Sequence, residues 1–509
     1  MTQRSLEISD LLDRIELLQV AGSASGAVTD LVYDSRKVSP GCAFFALPGT
    51  RVDGHDYIED AVANGARVVV SQRPVQVAGA VVATVADSRR ALALASDLYF
   101  GSPTSSMRVV GITGTNGKTT VTYLLEAMLQ EAGYKPAVIG TVNYRFGADE
   151  RAASHTTPES YELQQVIADF REQGADALVM EVSSHALEQG RVAGINFEAG
   201  IFTNLTPEHL DYHGTMESYF ASKRKFFDEY IVPGKKAAVV NVDDAYGRQL
   251  ATDLPGILTC GIDSEAMVRA ENVRLDRSGI RTDIVTPKEK FSLQSPLLGR
   301  FNVSNLLCAI AGATACDLSV EQIVAGIARV PVVPGRIERI DNDRDALLLV
   351  DYAHTGDALE NVLEAVSGLE ATRIITVFGC GGDRDRNKRP VMGEVAARFS
   401  DLAIVTSDNP RTEDPATIID EIIPGVEKHF TEPLSDEQFT QPAANGYIVI
   451  PDRRQAIRRA IEVLQPGDLL VVAGKGHEDY QIIGTKRFHF DDREEIRQAL
   501  QARGGTDEL

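Results

Sequence analysis

Residues 109–120 limit the folds that this chain can adopt more than any other stretch of the sequence. An apolar strand pattern leads into a glycine-rich turn, and Lys118 and Thr119 then open a helical pattern with Leu124 and Met128 on one face. In such a turn, backbone N–H groups and a helix N-terminus converge on an anion, the lysine adds positive charge and the threonine hydroxyl can bind Mg²⁺. The stretch therefore predicts a phosphate-binding loop that holds ATP.

The turn departs from the strict phosphate-loop spacing at one position. That spacing places a glycine at position 112, where this chain has Ile112, and the glycines before Gly117 lie at Gly111 and Gly114. A turn that only connects a strand to a helix is the alternative interpretation, but Lys118 at the start of the helix favours a nucleotide. The loop residues predicted to bind ATP are Gly114, Thr115, Asn116, Gly117, Lys118, Thr119 and Thr120.

Length and composition narrow the class of protein. At 509 residues the chain exceeds what one hydrophobic core usually supports, and its formal net charge of −22 argues against a nucleic-acid partner. The amino-terminal segment lacks the apolar core of a signal peptide, and no apolar run approaches the length of a membrane span. Five scattered cysteines without CxxC spacing suit a reducing compartment and small core positions. We therefore expect a cytoplasmic protein without membrane insertion.

Two turn-rich stretches divide the chain into three parts. Residues 101–106 are polar and contain glycine and proline, and residues 329–336 contain two prolines and a glycine. We predict an α/β protein with a small amino-terminal domain at 1–100, a central phosphate-loop domain with a parallel sheet at 101–334, and a Rossmann-like domain at 335–509.

The last third of the chain alternates apolar strand patterns with helical patterns, which predicts a parallel sheet covered by helices. Ligands bind beyond the carboxyl ends of the strands in such sheets. The predicted strands are 346–351, 372–378, 402–406, 446–450 and 468–473, and the predicted helices lie near 357–368, 390–399, 414–428 and 453–464. Four polar loops follow the strands, at 351–354, 379–386, 408–411 and 474–478. We expect these loops to share one rim of the sheet.

Further candidates for chemistry lie in the central part. An apolar run ends at Glu181, where a phosphate-loop domain needs a ligand for Mg²⁺. Residues 203–214 contain two histidines and two acids close together, which predicts a metal- or proton-handling cluster, with a solvated turn as the alternative. The next helix carries Lys223, Arg224 and Lys225, and its local spacing does not distinguish these three from a solvated basic face.

These motifs resemble the Mur ligase family over nearly the whole chain. The resemblance is carried by residues 114–119, 181–185 and 211–214 and by the four carboxy-terminal loops, of which 379–390 and 408–411 are the most specific. It implies domains for a UDP-sugar, for ATP and for an incoming amino acid. It also implies ATP-driven addition of meso-2,6-diaminopimelate to the D-Glu γ-carboxylate of UDP-MurNAc-L-Ala-D-Glu through an acyl phosphate, in peptidoglycan precursor synthesis.

The resemblance assigns catalytic and metal-binding roles. It implies catalytic roles for Lys118, His209 and Lys223, and Mg²⁺ ligands at Thr119, Glu181, His209 and Lys223. Lys223 would act as N6-carboxylysine. The chemical reason is charge inversion, because an ammonium group repels Mg²⁺ whereas a carbamate supplies oxygen ligands.

The same resemblance assigns residues to each small-molecule substrate of an enzyme that we expect to be a monomer. The UDP-MurNAc-peptide would be held by Tyr33, Ser35, Thr50, Arg51, Val52, Thr156, Thr157, Ser183, Gln189 and Arg191. The diaminopimelate pocket would comprise Arg389, Asp408, Asn409, Pro410, Arg411, Gly474 and Glu478. The base and ribose of ATP would lie beside Asn302, Asn305, Arg336, Asp351 and His354.

Arg411 is expected to choose the amino acid. Lysine and diaminopimelate differ chiefly by one carboxylate, and the planar fork of an arginine can donate two parallel hydrogen bonds to it. We expect Pro410 to stiffen the loop that carries this side chain. In the alternative interpretation, Arg411 only pairs with Glu413 or Asp414.

Three other functions stay open at this point. The chain is either the diaminopimelate ligase or the same ligase specific for L-lysine, and a folylpolyglutamate synthetase-like ligase would use the same ATP chemistry. The α/β unit before the phosphate loop argues against the synthetase. A nucleotide-dependent switch without synthetic activity is the third alternative, and it leaves Glu181, His209 and Lys223 unexplained because a switch needs only binding.

Overall fold

A computed structural model describes residues 4–49, 52–231 and 237–504 of the chain. Three α/β units follow one another, and each is built on its own main β-sheet. This architecture confirms the fold class predicted from the sequence. The five cysteines are buried free thiols, and within the described ranges no helix is long and apolar enough to cross a membrane.

The first unit is built on a five-stranded sheet. Its elements are β1 (Leu6–Glu7), α1 (Ile8–Arg14), β2 (Leu17–Ala21), β3 (Ala27–Val28), β4 (Leu31–Val32), β5 (Ala43–Phe45), α2 (Ile58–Ala63), β6 (Val68–Ser71), β7 (Val81–Val85) and α3 (Ser88–Tyr99), with 3₁₀ turns at Ser35–Lys37, Gly54–Tyr57 and Pro103–Ser106. The sheet order is β2-β7-β6-β5-β4, and β2 alone runs antiparallel to its neighbour. Strands β6 and β7 are buried along their whole length, as expected for parallel strands covered on both faces.

The central unit is the largest. It contains β8 (Arg108–Thr113), α4 (Lys118–Glu131), β9 (Pro136–Ile139), β10 (Asn143–Phe146), β11 (Asp149–Ala152), α5 (Ser160–Glu172), β12 (Ala177–Glu181), α6 (Ser184–Glu188), β13 (Ala199–Phe202), α7 (Leu210–His213), α8 (Met216–Lys225), a π-helical turn (Phe226–Tyr230), β14 (Ala237–Asn241), α9 (Ala245–Asp253), β15 (Leu258–Gly261), β16 (Val268–Asp276), β17 (Gly279–Val285), β18 (Lys290–Ser295), α10 (Arg300–Ala315) and α11 (Val320–Ala328). The side chains of β8 alternate between two cores. Val110 and Ile112 join the core that contains α4 and α10, whereas Val109 joins the core that contains α5.

The central sheet has eleven strands in the order β11-β10-β9-β12-β8-β13-β14-β15-β16-β17-β18. The predicted parallel sheet is present from β9 to β16, but the strands beyond it at both edges are antiparallel. The connections at those edges are short turns. They cannot make the crossover of a dozen or more residues that parallel neighbours require. Strand β8, which leads into the phosphate loop, lies near the middle between β12 and β13.

The third unit contains β19 (Glu338–Ile340), β20 (Leu347–Asp351), α12 (Gly356–Ser367), β21 (Ile374–Phe378), α13 (Lys388–Phe399), β22 (Leu402–Val405), α14 (Pro415–Val426), α15 (Asp436–Phe439), β23 (Gly446–Val449), α16 (Arg453–Glu462), β24 (Leu469–Ala473), β25 (Tyr480–Ile483), β26 (Lys486–His489) and α17 (Asp492–Gly504). The sheet order is β19-β20-β24-β21-β22-β23, and all its pairs except β19-β20 are parallel. The predicted alternation is confirmed. Because β20, β24, β21 and β22 are consecutive neighbours, the four polar loops that follow them share one rim.

Candidate active site

A cleft of about 500 Å³ lies between the central unit and the third unit. The phosphate loop and the ends of β12 and β13 form its central side, and residues 351–362 contribute to the other side. Many of the sequence-predicted site residues line it, namely Gly114, Thr115, Asn116, Gly117, Lys118, Thr119, Thr120, Thr156, Glu181, Ser183, His209, Lys223, Asn305, Arg336, Asp351 and His354. Asn302 lies behind this wall, where its side chain accepts a hydrogen bond of 2.8 Å from Asn305.

The phosphate loop requires glycine at two positions for different reasons. Gly117 has φ +86°, and a Cβ there would lie 2.2 Å from Oδ1 of Asn305. Gly114 has φ +147°, and a Cβ there would lie 1.9 Å from Oγ1 of Thr203. Thr203 Oγ1 also donates to the carbonyl of Asn116 at 2.6 Å. The loop is therefore packed tightly between the end of β13 and helix α10.

Two buried lysines converge on one carbonyl of this loop. Lys118 Nζ lies 3.0 Å from the carbonyl oxygen of Gly114 and 2.7 Å from that of Thr115. Lys223 Nζ lies 2.8 Å from the same Gly114 oxygen and 4.7 Å from the centre of the Tyr219 ring. Burial and the nearby charge of Lys118 hold the pKa of Lys223 well below its usual value. Burial also lowers the pKa of Lys118, against the opposing effect of two carboxylates.

Glu181 is a buried carboxylate that accepts hydrogen bonds from two neighbouring threonines. Its Oε1 accepts hydrogen bonds of 3.0 Å from the hydroxyl of Thr119 and from the backbone N–H of Thr141, and its Oε2 accepts one of 2.9 Å from the Thr141 hydroxyl. Arg336, from the third unit, donates to the same Thr119 hydroxyl at 3.2 Å. The sequence interpretation gave no role to Thr141, which precedes β10 and has no motif of its own.

His209 lies at a loop position with a left-handed backbone, φ +56°, and its side chain is 46% exposed. Its ring centroid is 5.0 Å from that of His185, and its Nε2 is 3.9 Å from Oε1 of Glu208. Burial, together with neighbouring histidines, lowers the pKa of His185 to about 4. The His213 ring is 5.5 Å from that of His185 and forms a 3.0 Å hydrogen bond with Ser184. Both histidines of the predicted cluster therefore pack against His185, and its role in binding a metal or moving a proton stays a prediction.

Among the described residues, no three side chains of His, Cys, Asp and Glu are grouped closely enough to hold a metal ion by themselves. The oxygen atoms of Thr119 and Glu181 are nevertheless the hard donors that Mg²⁺ prefers, and they lie beside the phosphate loop. A site at this place would need further oxygen atoms from phosphate, from water or from a modified side chain.

The residues predicted to hold the muramoyl-peptide form one connected group. Thr157 donates to the carbonyl of Glu181 at 2.8 Å and accepts from the backbone N–H of Ser183 at 3.0 Å. Arg191 donates to the carbonyl of Thr157 at 2.9 Å and to Oε1 of Gln189 at 2.6 Å. The hydroxyls of Thr156 and Thr141 are 3.0 Å apart.

The residues predicted to hold the UDP part belong to the first unit. The hydroxyl of Tyr33 donates to Glu162 of helix α5 at 2.8 Å, which joins the first unit to the central one. Ser35 begins a 3₁₀ turn capped by Asp34, and Val52 is 57% exposed. Thr50 and Arg51 lie outside the described residues.

The rim of the third unit contains a cation without a carboxylate partner. Nη1 of Arg411 donates to the carbonyls of Gly382 at 2.8 Å and Asn409 at 3.4 Å, and no ion pair of Arg411 occurs within the described residues. Glu413, the alternative partner, instead binds Arg389, whose guanidinium is fully buried. Carboxylates thus balance the charge of the predicted pocket residue Arg389, whereas no carboxylate in the part of the chain that the structure describes pairs with Arg411.

Lys475 lies at the centre of the other predicted pocket residues. Its fully buried Nζ is 3.4 Å from Oδ1 of Asp408, 3.2 Å from Oδ1 of Asn409 and 3.2 Å from Oε2 of Glu478. Burial and the charge of Asp408 raise the pKa of Glu478. Gly474, with φ +118°, precedes this lysine in the turn. The sequence interpretation quoted Lys475 as part of a polar loop but gave it no role.

Comparison with known proteins identifies the family. Residues 27–108 match the family described as "Mur ligase family, catalytic domain". Residues 112–313 match "Mur ligase middle domain", and residues 335–476 match "Mur ligase, glutamate ligase domain". The chain is 51% identical over 503 residues to the UDP-N-acetylmuramoyl-L-alanyl-D-glutamate–2,6-diaminopimelate ligase of Geobacter metallireducens, covering 97% of this chain and 98% of the relative. This chain belongs to the Mur ligase family.

Two further relatives of the same name extend this finding. The Synechococcus elongatus protein is 45% identical over 487 residues, which is 94% of this chain and 95% of the relative. A solved structure with this name superposes with a TM-score of 0.70 at 34% identity and covers 98% of this chain and 99% of that one. As a Mur ligase, the chain is an ATP-dependent ligase.

We expect the substitution Gly117→Ala to weaken ATP and ADP binding by tenfold or more. The new methyl group would press on Asn305 and displace the phosphate loop, in addition to the roughly 1–2 kcal/mol cost of a left-handed backbone with a Cβ. The measurement is titration calorimetry with each nucleotide. Gly133→Ala is the matched control, because Gly133 has the same φ of +86° and nothing within 4 Å of its added Cβ.

Gly133→Ala should lose only the free energy that the left-handed backbone costs, Gly117→Ala should lose more because of the contact with Asn305, and only Gly117→Ala should lose nucleotide affinity. Equal affinity in Gly117→Ala and the parent protein would contradict the packing of this loop against Asn305.

Proposed function

We propose that this Mur ligase adds meso-2,6-diaminopimelate to the D-Glu γ-carboxylate of UDP-MurNAc-L-Ala-D-Glu, with hydrolysis of ATP to ADP and phosphate. The observation that carries the proposal is Arg411, a cation with no ion pair among the described residues, on the rim of a unit that faces the phosphate loop. The names of the relatives support it as well. The reaction provides a precursor of peptidoglycan, and we place the enzyme in the cytoplasm as a monomer.

In this proposal each of the three substrates is bound by its own part of the chain. We propose that residues 1–100 bind the UDP-sugar through Tyr33, Ser35 and the 50–52 loop, that residues 101–334 bind ATP, and that residues 335–509 bring the amino acid. The family match to residues 27–108 supports a dedicated unit before the phosphate loop. That unit is the feature that disfavours a folylpolyglutamate synthetase-like ligase.

A free carboxylate does not react with an amine at neutral pH, so the reaction needs a leaving group. A γ-carboxylate oxygen of the substrate attacks the γ-phosphorus of ATP, and ADP leaves. The amine nitrogen then attacks the acyl carbon, the C–O bond to phosphate breaks, and the nitrogen loses a proton. Thr156 and Ser183 are suited to hold the peptide carboxylate because they line the cleft with Glu181, and Arg191 supports them through the carbonyl of Thr157. Lys118 would stabilise the charge that builds on the transferred phosphoryl group.

Thr119 and Glu181 fit Mg²⁺ by their oxygen donors, and His209 would join them as a nitrogen ligand, with Lys223 supplying oxygen atoms once it is carbamylated. When bound, Mg²⁺ would neutralise negative charge on the phosphate groups during transfer. The chain's own residues fix the arrangement. Glu181 is oriented by Thr119 and Thr141, and the loop before α7 carries His209 to the same side of the cleft.

The surroundings of Lys223 favour a carbamate. A neutral amine adds to CO₂, because its lone pair forms the N–C bond and the nitrogen then loses a proton. Burial and the positive charge of Lys118 both favour the neutral amine of Lys223. Once formed, the negative carbamate would sit beside the Lys118 ammonium instead of a second positive charge.

The function is tested by phosphate release from ATP. Release should require both UDP-MurNAc-L-Ala-D-Glu and diaminopimelate, because the acyl phosphate forms only on the peptide and is consumed only by the amine. Mass spectrometry of the product should show the added amino acid. Steady ATP turnover with neither substrate, unchanged when both are added, would instead favour a nucleotide-dependent switch.

Lys223→Ala should nearly abolish ligation, and small carboxylates such as acetate or formate should partly restore it. A carboxylate can fill the space of the carbamate and supply its oxygen ligands. Arg224→Ala and Lys225→Ala are the controls. Arg224 pairs with Asp253 and Asp228, and Lys225 pairs with Glu188 on the surface. The controls should keep most of the activity.

The measurement is initial ligation rate against carboxylate concentration for each variant, with ATP affinity and thermal unfolding as checks of integrity. If all three variants lose activity equally, or if folded Lys223→Ala binds ATP but is not rescued, the carbamate role belongs to another residue.

Arg411→Ala should lower kcat/KM for diaminopimelate far more than for L-lysine. A buried polar site rejects an analogue that lacks its partner by as much as roughly 10⁴-fold, because the charge of the site is left unpaired. Removing the guanidinium should erase most of that preference. The measurement is kcat/KM for both amino acids in the parent protein and in the variant.

Arg386→Ala is the matched control, since Arg386 lies on the neighbouring loop but is paired with Glu413. It should leave the ratio between the two amino acids unchanged. An unchanged ratio in Arg411→Ala would remove Arg411 from the pocket, and a parent protein that prefers lysine would make the chain a lysine ligase.

A further inference from the structure

One carboxylate of the third unit reaches across the cleft. Asp357 lies in the first turn of helix α12, and its Oδ2 accepts a hydrogen bond of 3.1 Å from Nδ2 of Asn116 and one of 2.9 Å from the hydroxyl of Thr206. Both donors belong to the central unit. Asn116 is part of the phosphate loop, and Thr206 lies in the loop that carries His209.

The position of Asp357 in its own helix does not explain these contacts. Thr355 already caps the helix, because its hydroxyl oxygen accepts the backbone N–H of Ala358. Asn361, one turn later, donates to the Asp357 carbonyl at 2.8 Å and to Oδ2 at 3.3 Å. The carboxylate is therefore supported from its own helix and directed at the central unit.

Thr206 and Asn116 are themselves joined, since Nδ2 of Asn116 donates to Oγ1 of Thr206 at 3.3 Å. The hydroxyl of Thr115 also donates to the carbonyl of Thr206 at 3.3 Å. Asp357 thus completes a small network between the phosphate loop, the His209 loop and the third unit. A shift of the third unit by a few ångströms would break both of its cross-cleft hydrogen bonds.

We propose that Asp357 is a positioning residue that fixes the amino-acid-binding unit against the phosphate loop for the second half of the reaction. This inference rests on the proposed function. In the first half, formation of the acyl phosphate, the γ-phosphate and the peptide carboxylate that react would both be held by the central unit. The second half brings an amine held by the third unit onto the acyl carbon, and its rate depends on the distance between the two units. Asp357 acts on that distance and touches neither reacting group.

The two halves are measured separately in the full-length protein. Hydroxylamine in place of the amino acid traps the acyl phosphate as a hydroxamate, which reports the first half. Ligation of diaminopimelate reports both halves. Asp357→Ala should lower ligation by roughly 10- to 100-fold, the scale of losing one or two hydrogen bonds to a charged group, and change hydroxamate formation by less than about threefold.

Asp357→Asn should recover most of the ligation, because an amide oxygen can still accept the hydrogen bonds of Asn116 and Thr206. Thr206→Val removes one donor from the opposite side. Its effect should not add to that of Asp357→Ala in the double variant, since both remove the same hydrogen bond. Glu360→Ala is the matched control, because Glu360 lies on the same helix but pairs with Arg398 within the third unit.

A readout besides activity is the radius of gyration from small-angle X-ray scattering with a non-hydrolysable ATP analogue bound. Asp357→Ala should be more expanded than the parent protein, and Glu360→Ala should not. The proposal is overturned if Asp357→Ala lowers hydroxamate formation as much as ligation, which would make Asp357 a nucleotide-site residue, or if ligation is unchanged. A parent protein that forms neither hydroxamate nor product refutes the proposed function instead.

Discussion

The packing of the Phe226 ring against the central sheet determines where the side chains around the phosphate loop lie. Gly111 of β8 and Gly200 of β13 are register partners, and a Cβ at either would lie 2.6 Å or 2.8 Å from the fully buried ring of Phe226. The two glycines leave a gap in the surface of the sheet, and the ring fills it. Phe226 begins the π-helical turn directly after α8. Its packing against the two glycines therefore fixes α8 over the end of β8.

This packing explains the departure of the loop from the strict phosphate-loop spacing. Gly111 serves the contact between sheet and ring, not the phosphate, and Ile112 can then face the opposite core. Seating Phe226 also brings Lys223, one helical turn earlier, to the Gly114 carbonyl already bound by Lys118. Because Lys118 stands beside it and it is buried, Lys223 is favoured as a neutral amine, and a negative group formed there would be attracted to Lys118.

Many of the strands and loops that form the site could be predicted from the sequence, because their positions follow from the local pattern of apolar and polar residues. The strand that ends at Glu181, the phosphate loop and the four loops of the third unit were located by apolar runs that stop at polar residues. The antiparallel edges of the central sheet were not, because an apolar pattern fixes which face of a strand is buried but not its direction. Loop length was the signal that could have found them.

The features of the site that could not be predicted depend on contacts between residues far apart in the chain. Lys223, Arg224 and Lys225 are adjacent in sequence, yet only Lys223 is buried, because the packing of Phe226 selects the face of the helix that points inward. Asp357 lies at the start of a predicted helix and Lys475 in a predicted polar loop, and local pattern gives neither residue a role. Their partners, Asn116 for the first and Asp408 for the second, are brought near only when the sheets are assembled.

The support of Arg411 differs in kind from the expected stiffening by Pro410. Arg411 has φ +53°, a backbone conformation that is rare for a residue with a Cβ and that its surroundings must stabilise. Its N–H donates to the carbonyl of Ile482 at 3.1 Å, and its carbonyl accepts from Gly484 at 2.7 Å. The backbone of Arg411 therefore forms an isolated parallel bridge with Ile483 of the β25–β26 hairpin.

The same hairpin also anchors Asn409, because the backbone N–H of Ile482 donates to Oδ1 of Asn409 at 2.9 Å. One polar side chain of the predicted pocket and the backbone of another are thus held by backbone groups of this hairpin. In the proposed role of Arg411, the hairpin also affects selection of the amino acid, because it holds the backbone from which the guanidinium extends.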